Sequence, residues 1–161
     1  MAFILLFFIV SQNPERDSIL APSFYLKTLD GDDFFLSDYF EEDSSGVLIL
    51  DFFTTWCKPC LKEIKELRKM LEDSTYRDKV DVILINVGEP PMRVARWALK
   101  NEIDLSILID KFEKVRKSYG VKAIPSVFVI KNLKIKLKIT GYHKDSIERI
   151  KNVISITGKK E

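Results

Sequence analysis

Leu50-Asp51-Phe52-Phe53-Thr54-Thr55-Trp56-Cys57-Lys58-Pro59-Cys60 puts two thiols where an apolar run gives way to a helical pattern. Val47–Phe53 is continuous apolar sequence broken only by Asp51, which reads as a buried strand. Downstream, Leu61, Ile64, Leu67 and Leu71 fall on one stripe of a helix that runs to about Asp73. Cys57 therefore sits where a strand hands over to a helix, the reactive position of open α/β sheets. The chain has no other cysteines, so there is no disulfide framework, only one dithiol. Two thiols at this spacing close a small ring with little backbone movement. The partial positive charge of a helix N-terminus favours the thiolate, the form that attacks disulfides. Half of a metal knuckle is the alternative, but a structural zinc needs four ligands and His143 is the only histidine.

The rest of the chain supplies the sheet. Val80–Val87 is a second apolar strand. Pro90-Pro91 opens a helix that turns Val94, Trp97 and Ala98 inward and ends near Asn101. Residues 105–109 read as a short strand, and residues 112–119 as a helix stopped by Gly120. Residues 126–130 and 135–140 form a hairpin around Asn132, and residues 145–156 a closing helix with Ile147, Ile150, Val153 and Ile154 inward. Upstream, residues 23–29 and 33–36 flank the turn Asp30-Gly31-Asp32, and Ser37 caps a short turn ending in Glu41-Glu42-Asp43. This order predicts an α/β/α sandwich on a mixed sheet, with early strands parallel through right-handed crossovers and the last hairpin antiparallel.

At 161 residues the chain suits one domain; 46% hydrophobic and 31% charged residues describe an ordinary globular protein. The net charge of +2 hides a division: residues 1–110 carry 12 basic and 20 acidic side chains, residues 111–161 carry 14 and 4. A solvated basic face is the plain reading; a docking surface for an acidic partner or an anionic membrane is the sharper one. Nucleic acid is not the expected partner, because no aromatic-and-basic motif accompanies the lysines. Residues 2–10 are wholly apolar and Ser11-Gln12-Asn13-Pro14 follows. Nine residues are too few to span a bilayer but match a signal-peptide core. No Lys or Arg precedes them and no small-x-small cleavage site follows; a core strand is the other reading. The expected division is a signal- or anchor-like segment with its connector over 1–20, a folded domain over 21–156 and a polar tail over 157–161.

The quoted stretch, followed by Ala123-Ile124-Pro125-Ser126-Val127-Phe128, resembles the thioredoxin superfamily. Ala21-Pro22-Ser23-Phe24, Leu29-Asp30-Gly31, Leu36-Ser37-Asp38-Tyr39 and Asn86-Val87-Gly88-Glu89 narrow the likeness. It is similar to the extracytoplasmic thiol–disulfide oxidoreductases of the ResA/TlpA type, with an AhpC/TSA-redoxin-like domain. That resemblance implies a thioredoxin-like three-layer α/β/α sandwich with an N-terminal β-hairpin extension and a central helix–strand insertion. It implies that Cys57 is the attacking nucleophile and that Cys60, one turn further in and more buried, resolves the mixed disulfide. Pro125 should be in cis against Cys57, with Ile124 offering its backbone to a substrate strand; a trans proline opening a strand is the alternative. Asp51 stands where thioredoxin carries a buried aspartate, and a carboxyl in low dielectric can shuttle the Cys60 proton; otherwise it is a strand-end aspartate reaching solvent.

Glu63, three residues after Cys60, holds the position of an active-site glutamate in ResA-like proteins, or else is one more charge beside Lys62 and Lys65. Trp56 shields Cys57 and offers an apolar contact, or simply packs. Pro59 suits a first helical turn because it needs no amide donor, and Lys58 adds charge beside the thiolate or is merely solvated. Glu89 reads as a favourable negative charge at the start of the Pro90 helix.

The function implied is exchange of the Cys57/Cys60 dithiol with protein disulfides, with no cofactor, in a monomer outside the cytoplasm (periplasmic or tethered to the outer face of a membrane), with the cytoplasm as the alternative. Its substrate is a disulfide-bearing protein, with apocytochrome cysteines before haem attachment as one case. A dithiol donor, either a membrane thiol carrier or a thioredoxin, would regenerate it. Two rivals stay open. A peroxiredoxin-like peroxidase shares the Ala-Pro-x-Phe opening and a Pro-x-x-x-Thr-x-x-Cys motif, of which Thr54 and Cys57 fit while Leu50 replaces the proline. A copper or zinc carrier would use Cys57, Cys60 and the distant His143.

Overall fold

The strand that ends just before the thiols is the middle of the protein. A computed structural model describes residues 19–42 and 46–157. In chain order the elements are β1 (Tyr25–Thr28), β2 (Asp33–Phe35), α1 (Leu36–Glu42), β3 (Val47–Phe53), α2 (Lys58–Leu71), α3 (Ser74–Arg77) and β4 (Val80–Val87). Then follow α4 (Pro91–Lys100), β5 (Ser106–Asp110), α5 (Lys114–Ser118), β6 (Ser126–Lys131), β7 (Lys134–Thr140) and α6 (Ser146–Thr157). The strands form one sheet in the order β2-β1-β5-β4-β3-β6-β7. β3, β4 and β5 are parallel, β6 runs antiparallel to β3, and β7 returns antiparallel to β6. This is the mixed sheet read from the sequence, and β1–β2 is the N-terminal hairpin, itself antiparallel to β5.

All seven residues of β3 are buried, because strands flank both its edges and helices cover both its faces. Alternation assigns its side chains. Val47, Ile49 and Phe53 join Ile64 and Leu67 of α2, Val94 of α4 and Ile150 of α6. Leu48, Leu50 and Phe52 join Leu36 and Phe40 of α1 and Val115 of α5. By the same period Asp51 points to the α2 side. On the opposite side the ring of Phe128 meets Tyr119 at 5.1 Å and Phe52 at 5.6 Å between centroids. Phe128→Ala should therefore lower the unfolding free energy by about 3–5 kcal/mol, read as a lower urea midpoint at unchanged slope.

The structure departs from the sequence reading in local detail. Leu36–Glu42 is a helix rather than a brief turn, because Leu36 and Phe40 bury one face of it. A separate short helix follows α2: the Asp73 side chain accepts from Thr75 N at 2.9 Å and starts α3. α5 begins only at Lys114, since Glu113 is left-handed with φ 56°. Ile19 and Leu20, read as connector, pair with the start of β7, where Ile135 N donates to Ile19 O at 2.8 Å. The apolar segment 2–10 and tail residues 158–161 lie outside the described residues. Among the described residues no helix is long and apolar enough to cross a membrane.

Candidate active site

The β3–α2 junction builds the redox pair. Cys57 is the N-cap of α2, with extended φ −81° and ψ 99°, and its Sγ accepts from Cys60 N at 3.2 Å. A sulfur thus takes one of the N–H groups that a helix start leaves unpaired. Cys57 N is held in turn by Thr54 O at 3.2 Å. Cys57 and Cys60 are joined in a disulfide with their Cα atoms 5.3 Å apart. Cys60 is fully buried, while Cys57 keeps 7% exposure at the rim.

Around that rim Trp56 is 71% exposed, and Lys58 and Pro59 face solvent. The Ile124–Pro125 peptide is cis. Pro125 is buried and its carbonyl accepts from Gly141 N at 2.7 Å. Trp56 and Ile124 line a cavity of about 580 Å³ that reaches to Glu89 and Lys122.

On the α2 side of β3 lie two carboxyls, Asp51 on the strand and Glu63 on α2 one turn after Cys60. Asp51 and Glu63 are both fully buried, and none of their four oxygens has a hydrogen-bond partner. Burial, with Glu63 nearby, holds Asp51 well above the ordinary carboxylate range. Burial likewise raises Glu63 to about 7. The buried Ser146 hydroxyl at the start of α6 opposes that rise, although it completes no hydrogen bond to either Glu63 oxygen. The structure thus places Glu63 inside, rather than on the polar face that Lys62 and Lys65 suggested, and keeps Asp51 from solvent. A pair of unpartnered carboxyls in a protein interior is costly and invites a functional account.

Glu89 corrects the sequence reading. It is 5% exposed, and its carboxylate accepts from Thr55 N at 2.7 Å, Thr55 Oγ1 at 2.6 Å and Asn86 Nδ2 at 2.8 Å. It therefore ties the loop before Cys57 to the carboxyl end of β4. The available signal was an acid two residues past the apolar-rich strand Val80–Val87, three residues after the polar Asn86 at that strand's end. Glu89→Ala would strand these donors and should cost about 2–4 kcal/mol, checked by urea unfolding.

Among the described residues no cluster of three or more His, Cys, Asp or Glu side chains is arranged to hold a metal. His143 Nε2 lies 3.0 Å from Thr140 O.

Fold and site together define a thioredoxin-like protein-disulfide oxidoreductase, whose partners are proteins that carry disulfides. Over 122 residues the chain is 38% identical to the thiol–disulfide oxidoreductase ResA of Geobacillus thermodenitrificans, covering 75% of this chain and 67% of the relative. The ResA of Geobacillus kaustophilus is 37% identical over 132 residues, covering 80% and 72%. A solved thioredoxin-like protein of Porphyromonas gingivalis superposes with TM-score 0.71 at 28% identity, covering 87% of this chain and 93% of that one. The chain belongs to the AhpC/TSA family, whose model matches residues 19–138.

Proposed function

We propose that this protein reduces disulfides in other proteins outside the cytoplasm, through attack by Cys57 and resolution by Cys60. The observation that carries the reading is the asymmetry of the pair: Cys57 keeps some exposure beside the open Trp56, whereas Cys60 is fully buried on α2, one turn before the buried Glu63. The Cys57 thiolate attacks one sulfur of the partner's disulfide, and the other partner sulfur leaves as a thiolate that takes up a proton. Cys60 then gives its proton to the Asp51/Glu63 pair and attacks the Cys57 sulfur. The second partner thiol is released, and the Cys57–Cys60 disulfide remains. A dithiol donor, a membrane thiol carrier or a thioredoxin, restores the reduced pair. Trp56 and the Ile124–Pro125 segment form the contact surface for the partner's chain.

The carboxyls also support the reductive direction. The same burial that raises these carboxyls disfavours a thiolate on the buried Cys60, and a less stable thiolate makes a stronger reductant. The apolar stretch 2–10 and the likeness to ResA proteins support an extracytoplasmic position, with apocytochrome cysteines as one substrate. Equilibration against glutathione mixtures tests the direction. A potential near the roughly −270 mV of thioredoxin is expected, and one near the roughly −120 mV of DsbA would reverse it.

A further inference from the structure

Residues 111–122 run from the end of β5 through α5 to the segment just before the cis Ile124–Pro125 peptide. They carry Lys111, Lys114, Arg116, Lys117 and Lys122 against a single acid, Glu113. Lys111, Lys114, Lys117 and Lys122 are all exposed. The arm is fixed in place, because Arg116 N donates to an oxygen of the buried Asp110 at 2.8 Å. Its residues Glu113, Arg116 and Lys122 line one wall of the cavity, which is also lined by Arg93, by Trp56 directly before Cys57 and by Ile124 directly before the cis proline.

Both acids of this cavity are already engaged. Glu89 is held by Thr55 and Asn86, with Arg93 at 3.8 Å, and Glu113 pairs with Arg116. Lys122 has no ion-pair partner among the described residues. The surplus is cationic, and it extends along the arm into the most basic third of the chain. We propose that this cavity and arm receive an acidic segment flanking the partner's disulfide, its carboxylates over Lys122 and Lys117 and its cystine between Trp56 and Ile124. The proposal rests on the exchange reaction above and names the chemistry of its substrate.

Exposed charges of this kind add little to affinity but steer encounter, so the effect belongs in the second-order rate and fades with salt. Reduced full-length protein is mixed in stopped flow with three disulfide peptides that differ only in flanking Glu, Gln or Lys residues. In dilute buffer the Glu peptide should react roughly tenfold faster than the Lys peptide. The ratio should collapse toward unity at high salt and reverse in Lys117→Glu/Lys122→Glu. Equal rates, a faster Lys peptide, or a ratio untouched by that variant would overturn the proposal. Reduction of the Gln peptide without a charge preference sinks this inference alone; a Gln peptide left oxidised sinks the reductase reading with it. Equal rates together with salt-sensitive sedimentation on phosphatidylglycerol vesicles would assign the arm to a membrane, which also overturns it.

Discussion

Cys60→Ser should convert the protein into a trap that stays joined to its substrate through Cys57, while Cys57→Ser should capture nothing. The argument is positional. Cys57 caps α2 with some surface exposed, directly after the cavity-lining Trp56, whereas Cys60 has no exposed surface. A partner's sulfur can reach only the first thiol, and only the second can release the product. Either substitution should lower turnover of a protein disulfide by on the order of 10³-fold or more. Non-reducing electrophoresis of the two variants after exposure to an oxidised substrate reads the difference. Equal capture by both would refute the assignment of roles. Performed in the native host, the same trap also identifies the captured protein.

The second large effect concerns the carboxyls. The folded state lifts Glu63 from 4.5 to about 7, and lifts Asp51 in the same direction. Between those values the native protein binds more protons than the unfolded chain, so stability falls as pH rises through this window. The contribution is fully present below about pH 4.5 and is lost above pH 7. For Glu63 alone it amounts to about 3 kcal/mol. Glu63→Gln should therefore stabilise the protein at pH 8 by about 2–3 kcal/mol, a rise in Tm of about 5–10 °C, and should change little at pH 5.

Asp51→Asn should stabilise in the same sense, and the two gains should not add, because the groups interact. Their cost in function is opposite in sign. Without Asp51 to take the Cys60 proton, exchange near neutrality should slow by roughly 10²-fold. Thermal melts at the two pH values, alongside stopped-flow rates from about pH 6 to 9, check both halves. A rate indifferent to Asp51→Asn would remove the proton-transfer role, and a destabilised variant would remove the burial argument.

What the sequence could and could not disclose follows from the range of the interactions. β3 and α2 were legible because their signals are local: a continuous apolar run, then a stripe at helical spacing. Asp51 was conspicuous as the one ionisable group in that run. Glu63 was ambiguous because its immediate neighbours are lysines, and what buries it is the approach of α6, whose Ser146 lies far along the chain. Glu89 was misread for the same reason, since its main partner is Thr55, 34 residues away. The late start of α5 depends on the backbone of Glu113 entering a left-handed conformation that an ordinary glutamate does not announce. The charge division was plain in the sequence, but its relation to the redox cavity required the fold.

The whole account depends on one thiol being open and ionisable while its neighbour is shielded. Brief iodoacetamide treatment of the reduced protein near pH 7, followed by peptide mass mapping, measures this directly. Modification confined to Cys57, with Cys60 labelled only after unfolding, is the predicted result. Equal labelling of both, or of neither, in the folded protein would contradict it.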